Sequence, residues 1–212
     1  MSSCATTIKT ENFNDQELRE HLKQACKLGK EFTSVKGSLW AKIKSKKEEL
    51  QFPATIRVAN KQLVLEITNL VGGREAVIRI DDELFSVLSD SRPGLNQKGK
   101  GTWNMIPVSW AFKAFLGQPP CLDEIATAHI NREKSVHGAI ALNFAGEIWI
   151  YELESTGTRE RIIKLTRESK DSVKKLEIEF ERFDVSNGTP LSFRAASEEG
   201  ELKIRWKERT IE

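Results

Sequence analysis

The chain has 212 residues, of which 39% are hydrophobic and 30% are charged, a composition typical of a globular protein with a real core. Its formal net charge is only +2, whereas a DNA-coating protein usually carries a strong basic excess. No run of 18 or more apolar residues occurs, which excludes a membrane-spanning helix on length.

The cysteines are few and widely spaced. There are three of them, Cys4, Cys26 and Cys121. A disulfide framework usually has an even set of cysteines, so we expect all three thiols to be reduced. The N-terminus also lacks the basic head and apolar stretch of a secretory signal. These features predict a cytoplasmic protein.

The first predicted element is a helix over residues 15–29. Asn14 and Asp15 offer an N-cap, and Gly29 is suited to end the helix. Between them, apolar residues recur at helical spacing: Leu18, Leu22, Ala25 and Leu28. Cys26 lies beside this apolar stripe, so we expect its side chain to be packed.

Strands follow the helix. From Val35 onwards, apolar and polar residues alternate, which predicts a β-meander with small helical insertions. One such insertion is a short helix that Asp81 and Asp82 could cap and that carries Leu84, Phe85 and Leu88. Residues 89–102 are dense in Gly, Pro, Ser, Asn and Lys, so we expect a long exposed loop there. An aromatic cluster comes next, and we expect it to enter a short helix from Ser109.

The second half has a similar organisation. Residues 122–130 are a candidate helix, and residues 136–154 are a candidate hairpin that turns at Ala145 and Gly146. Further strands are expected over residues 161–166, 176–185, 190–196 and 201–206. In the last of these, alternation predicts that Leu202, Ile204 and Trp206 face the core.

A short internal echo indicates two related halves. Residues 34–39 read Ser-Val-Lys-Gly-Ser-Leu and residues 135–140 read Ser-Val-His-Gly-Ala-Ile, each after a candidate helix and before a hairpin. We therefore predict a β-dominated α+β fold, with antiparallel sheets and a few short helices. The predicted halves are residues 1–118 and 119–212, each a helix plus an antiparallel sheet. One continuous domain is the alternative.

The best candidate for ligand contact is the segment Lys98-Gly99-Lys100-Gly101. Glycines let backbone amides approach an anion, lysines offset phosphate charge, and the nearby Trp103 offers a stacking surface. A later basic stretch contributes Arg161 and Lys164, although carboxylates interleave with it. The predicted nucleic-acid-binding residues are Lys98, Lys100, Trp103, Arg161 and Lys164.

Two sets of residues indicate metal chemistry as an alternative. His129, Glu133 and His137 are spaced four apart, so one continuous helix would bring them to one face. A strand that begins near residue 135 would break that face, and surface histidines are the simpler interpretation.

The second set suits a metal-dependent nuclease. Glu201 and Lys203 would share one face of a strand, and Asp184 could supply a further carboxylate for the ion. Any solvent-facing strand shows the same alternation, however. We therefore predict no metal site and no cofactor.

The leading functional prediction is a non-catalytic binding or scaffolding protein whose partner is DNA or RNA, bound through local basic loops. Its duplicated plan is of the general kind found in DNA sliding clamps, which is an architectural analogy only. The alternatives are a metal-dependent nuclease and a β-rich structural subunit that assembles with itself or with protein partners. No contact with a membrane is expected.

Overall fold

The computed structural model describes residues 6–45, 49–103, 106–156, 159–169, 175–198 and 200–212. In the first half, the strands are β1 (Thr6–Thr7), β2 (Val35–Ser45), β3 (Glu49–Ala59), β4 (Gln62–Thr68), β5 (Arg74–Asp81), β6 (Leu84–Ser89), β7 (Gln97–Lys100), β8 (Thr102–Trp103) and β9 (Ile106–Pro107). In the second half, they are β10 (His129–Ile130), β11 (Ala139–Phe144), β12 (Glu147–Ser155), β13 (Glu160–Ser169), β14 (Lys175–Phe183), β15 (Pro190–Ser197) and β16 (Gly200–Ile211). The helices are α1 (Asp15–Ala25) and α2 (Val108–Phe115), and short 3₁₀ turns cover Thr10–Asn12 and Pro93–Leu95.

One antiparallel sheet dominates the molecule. Its strand order is β10-β11-β12-β13-β14-β15-β16-β2-β3-β4-β5-β6-β7, with β1 beside β12, while β8 and β9 pair separately. Strands adjacent in the chain are neighbours throughout this order, except that β16, the last strand, pairs with β2 and so joins the two sets of strands into one sheet. The predicted β-dominated α+β class is confirmed. The division at residue 118 stays a prediction, although both parts contribute strands to this sheet.

The sheet is strongly curved. Ile78 on β5 and Ile178 on β14 line the same cavity, although five strands lie between β5 and β14. Neighbouring strands are about 4.8 Å apart, so a flat sheet would separate these two by roughly 29 Å. The sheet therefore curls around a concave face.

Strict alternation of apolar and polar residues determines which face of the sheet is buried. On β16, Ile204 and Trp206 are buried, whereas Arg205 and Lys207 are exposed, as the sequence predicts. The same pattern on β2 to β5 and on β14 and β15 turns aliphatic and aromatic side chains inward and charged side chains outward.

Helix α1 begins where the sequence predicts. Asn14 Oδ1 accepts hydrogen bonds from the backbone amides of Gln16 (2.9 Å) and Glu17 (3.0 Å), and Glu17 Oε2 accepts from the Asn14 amide (2.7 Å). This capping box satisfies amides that a helix start leaves unpaired. The helix ends at Ala25, four residues before Gly29, because turns take over from Cys26.

Helix α2 confirms the helix expected from Ser109, and it ends sharply. The amide of Gln118 donates to the carbonyl of Lys113 (2.7 Å), and the amide of Gly117 donates to that of Ala114 (3.1 Å). Gly117 has a φ of +77°, which glycine adopts without the strain that a Cβ would cause. These bonds form a Schellman motif, which fixes the direction in which the chain leaves α2.

Three local predictions are wrong. The short helix expected after Asp81 and Asp82 is the strand β6, because its residues pair with β5. The candidate helix over residues 122–130 consists of turns followed by β10, because pairing with β11 competes successfully with a helix there. The loop expected over residues 89–102 contains a 3₁₀ turn and the edge strand β7, which pairs with β6. Among the described residues, no helix has the length and apolarity that a bilayer crossing requires.

The expectation of reduced thiols is also wrong. Cys26 and Cys121 form a disulfide with a Cα–Cα distance of 6.1 Å. They are 95 residues apart in the sequence, so their spacing gave no indication of their proximity. Cys4 lies outside the described residues. Because disulfides are rare in the cytosol, the prediction of a cytoplasmic protein loses its main support.

Reduction of this disulfide should destabilise the fold. It closes a loop of 95 residues, and such bridges typically contribute about 2–5 kcal/mol to the free energy of unfolding. Denaturant unfolding with and without dithiothreitol measures the loss, and Cys26→Ser/Cys121→Ser should be insensitive to the reductant. An unchanged midpoint for the reduced natural protein would contradict the bridge.

Candidate functional site

An apolar cavity of about 80 Å³ lies between α2 and the concave face of the sheet. Every described side chain that lines it is apolar. The sheet contributes residues from β2 to β5 and from β14 to β16, and α2 contributes its inner face. Representative lining residues are Ala41, Leu65, Ile80, Ala195, Ile204 and Phe115.

Aromatic contacts hold α2 in this concavity. The Phe115 ring packs edge-on against Phe193, with centroids 5.3 Å apart, and against Trp206 at 6.3 Å. At the other end of the helix, Trp110 meets Trp149 edge-on at 5.3 Å. Such pairs contribute about 0.5–1.5 kcal/mol each beyond their buried area. Helix α2 therefore occupies the position that a hydrophobic ligand of this sheet would take.

A wider groove continues from the cavity. It encloses about 420 Å³ and shares Ile43, Phe52 and Ile78 with the cavity, so the two spaces adjoin. Small-molecule pockets typically have volumes of roughly 300–1,000 Å³. The groove falls in that range, whereas the cavity beneath α2 does not.

Polar residues line the far end of this groove. Glu75 accepts hydrogen bonds from the hydroxyl of Ser91 (2.6 Å) and the amide of Asn69 (3.3 Å). Leu70, at the tip of the β4–β5 hairpin, also lines the groove and is 83% exposed. The groove thus has an apolar interior and a polar rim.

Lys164, a predicted nucleic-acid contact, is neutralised by carboxylates. Its ammonium lies 3.7 Å from Glu152, 3.4 Å from Glu177 and 3.7 Å from Glu179. Burial lowers the pKa of Lys164, but the three negative charges outweigh burial and raise the pKa above its ordinary value. This charge is balanced within the protein.

Arg161 is similarly engaged. Its Nε donates to Glu154 at 2.5 Å, and its guanidinium lies 3.8 Å from the centre of the Phe183 ring. The carboxylate of Glu154 balances the charge of Arg161, and the Phe183 ring covers one face of its guanidinium group.

The Lys98–Gly101 segment has a structural explanation. It is the edge strand β7 and its turn, and Lys100 lies 3.5 Å from Glu83. A Cβ on Gly99 would come within 2.4 Å of the Phe85 ring, so glycine is needed for packing. Lys98 is exposed on this edge, where charged side chains discourage strand pairing between molecules. The side chain of Trp103 lies outside the described part of the structure.

The residues proposed for nuclease chemistry are held by separate partners. The hydroxyl of Ser186 donates to Asp184 and lowers the pKa of that carboxyl. Arg194 donates to Glu201 at 2.8 Å and lowers its pKa. The remaining member, Lys203, pairs with Glu181 at 3.2 Å.

The histidines do not form a metal site. His129 is exposed on β10, and His137 lies in a turn with a φ of +52°, so the helix needed to align them is absent. In the part of the chain that the structure describes, no group of three or more His, Cys, Asp or Glu residues is placed to hold a metal ion.

Two solved structures have a similar fold. A LolA superfamily protein from Nitrosomonas europaea is 10% identical, with a TM-score of 0.52 and 93% of each chain covered. A putative outer membrane lipoprotein-sorting protein domain from Vibrio parahaemolyticus is 7% identical, with a TM-score of 0.55 and 94% of each chain covered. At these identities the likeness concerns the fold alone. Neither a protein family nor a curated protein matches the sequence itself.

The prediction of a nucleic-acid-binding protein is therefore wrong, and so is the nuclease alternative. The fold is shared with LolA-like and lipoprotein-sorting proteins, and its characteristic surface is an apolar concavity. The error arose because charged residues were judged from the sequence without their partners across the strands.

The sequence did contain a signal for the apolar site. Alternating strands predicted an inner face, and the aromatic cluster after residue 102 predicted a short apolar helix. Whether another sheet, a helix or a ligand covers an inner face depends on the curvature of the sheet. The pairing of β16 with β2, which joins the two sets of strands into one sheet, is revealed by no local pattern.

A glycine substitution tests the structural role of the Lys98–Gly101 segment. Gly99→Ala should lower the free energy of unfolding by about 1–3 kcal/mol, because its Cβ meets the Phe85 ring. Gly94→Ala is the matched control, since no atom lies within 4 Å of a Cβ there, and it should change stability by no more than about 0.5 kcal/mol. Equal stability of the two variants by thermal denaturation would contradict this role.

Proposed function

We propose that this protein binds an acyl chain, from a lipid or from a lipid-modified protein, on the concave face of its sheet. One observation carries this proposal: the cavity is lined by apolar side chains alone among the described residues, and its apolar surface continues into the groove. Burial of each methylene is worth about 0.8 kcal/mol. A long chain therefore gains far more from this surface than a compact polar ligand would.

The shape of the space favours a chain. The cavity and the groove adjoin at Ile43, Phe52 and Ile78, so together they form an elongated path along the inner face. The polar rim with Glu75 and Ser91 lies at the groove end. An amphiphile can therefore place its chain inside and its head group at the rim.

Helix α2 must move if the chain is to occupy the whole concave face. With α2 in place, only about 80 Å³ remains beneath it, which is far below the volume of a typical ligand site. We infer that the groove receives the chain first and that the chain then replaces the contacts of Trp110, which lies near the N-terminal end of α2. The fold keeps its concave face covered in both states.

The fold comparison and the disulfide support this proposal. The Vibrio parahaemolyticus protein is described as a putative outer membrane lipoprotein-sorting protein, and the cargo of lipoprotein sorting carries acyl chains. The Cys26–Cys121 bridge favours an oxidising compartment outside the cytoplasm. We propose that the protein acts there.

A pair of neighbouring alanines tests the site. Ala195 faces the cavity, whereas Ala196 pairs with Glu177 and Glu201 on the outer face. Ala195→Phe should fill the cavity and weaken binding of cis-parinaric acid, a fluorescent acyl chain, by at least about tenfold, because several buried methylenes lose their place. Ala196→Phe is the matched control and should bind as the natural protein does.

Overpacking could destabilise the first variant by about 1–3 kcal/mol, so Ala195→Leu provides a smaller change with the same expected direction. Circular dichroism checks that each variant is folded. Equal affinities for the Ala195 and Ala196 variants would show that the chain binds elsewhere. No binding by the natural protein would refute the proposed function itself.

A further inference from the structure

A basic pocket lies outside the apolar cavity, between the ends of the two helices. It encloses about 260 Å³ and is lined by Lys23 and Lys27 from α1 and the turn after it, by Lys30, and by Lys113 from α2. Among the described residues that line it, Asp123 is the one carboxylate. These four lysines define the basic pocket.

Three of these lysines lack a carboxylate partner. In the described chain, no carboxylate oxygen lies within ion-pair distance of the ammonium groups of Lys27, Lys30 or Lys113, while Lys23 pairs with Glu20 at 3.1 Å in a solvent-exposed contact. The outer face of the sheet differs, since Lys164 there has three carboxylate neighbours. Positive charge is therefore left uncompensated at the basic pocket.

The helix ends explain part of this arrangement but not all of it. Lys23 and Lys113 lie in the last turns of α1 and α2, where the helix dipole favours a cation. Lys27 and Lys30 lie beyond the helix, and both are exposed. Mutual repulsion among the four ammonium groups makes a bound anion favourable.

The floor of the basic pocket is rigid and largely apolar. It includes the Cys26–Cys121 disulfide and Leu122, whose amide donates to the hydroxyl of Tyr151 at 3.1 Å. The side-chain amide of Gln118 donates to the carbonyls of Gly29 (2.8 Å) and Phe32 (3.1 Å), which joins the two helix ends. A preorganised floor of this kind lowers the entropic cost of binding.

We propose that the basic pocket docks the protein on an anionic lipid bilayer, with the phosphate of a lipid head group held among the lysines. Flexible lysine stems carry point charges that can each reach a phosphate, and the apolar floor suits the glycerol part of a head group. Because Lys113 belongs to α2, a docked bilayer would lie beside the helix that covers the apolar cavity.

Vesicle flotation tests this proposal with the intact protein. At low salt, the protein should associate with vesicles of phosphatidylcholine and phosphatidylglycerol (mixed about 7:3) but not with phosphatidylcholine alone, and added salt should release it. Each lysine near such a surface contributes about fivefold to the partition coefficient. Lys27→Glu/Lys30→Glu should therefore weaken association by at least about 25-fold.

Matched variants and probes separate the outcomes. Lys36→Glu/Lys207→Glu makes the same change in net charge at exposed positions on β2 and β16, and it should retain most of the vesicle association. Lys27→Gln/Lys30→Gln provides a milder neutralisation with the same direction. The Lys27/Lys30 variants and the Lys36/Lys207 variant should bind cis-parinaric acid as the natural protein does. A failure of docking is therefore distinguishable from a failure of the proposed acyl site.

Three results would overturn docking at this pocket. The first is equal loss for the two charge-reversed pairs, which would indicate a diffuse charge effect. The second is binding of pyrophosphate without binding of anionic vesicles, which would indicate a soluble phosphate ligand. The third is binding of poly-glutamate without binding of vesicles, which would indicate an acidic protein partner.

Discussion

The burial of α2 against the concave face of the sheet is the contact on which the rest of the structure depends. A curved sheet with an apolar inner face cannot leave that face in water, because exposed apolar area costs about 25 cal/mol per Å². Trp110 and Phe115 cover it by packing against aromatic residues of the sheet. The small volume that remains beneath the helix shows how completely α2 covers the inner face. Under the proposed function, an acyl chain and α2 compete for this surface.

The C-terminal ends of α1 and α2 are linked to each other. The Schellman motif at Gly117 turns the chain away from α2, the Cys26–Cys121 bridge ties it to the end of α1, and Gln118 adds two hydrogen bonds. The C-terminal end of α2 is thereby fixed to α1, and the basic pocket lies at the same junction. Its N-terminal end has no comparable link to α1 among the described residues. A movement of α2 that pivots on its C-terminal end would uncover the cavity and preserve the pocket.

Local patterns predicted the parts of this fold that depend on local forces. The capping box at Asn14 starts α1 as expected, and alternation correctly assigned the inward side of β16, including Ile204. The disulfide and the pairing of β16 with β2 were not predictable, because both join residues far apart in the chain. The basic residues were misjudged for a related reason. Lys164 and Arg161 looked available in the sequence, and only cross-strand pairing shows that carboxylates neutralise them.

We propose that an acyl chain takes the place of α2 on the inner face of the sheet. Solution NMR with ¹³C-labelled palmitate and methyl-labelled protein measures this most directly. We expect nuclear Overhauser effects between the palmitate chain and the methyl groups of Ile78 and Ile204, together with weaker effects between Trp110 and the sheet. Effects from palmitate to outward-facing methyl groups alone, with the α2 contacts unchanged, would contradict it.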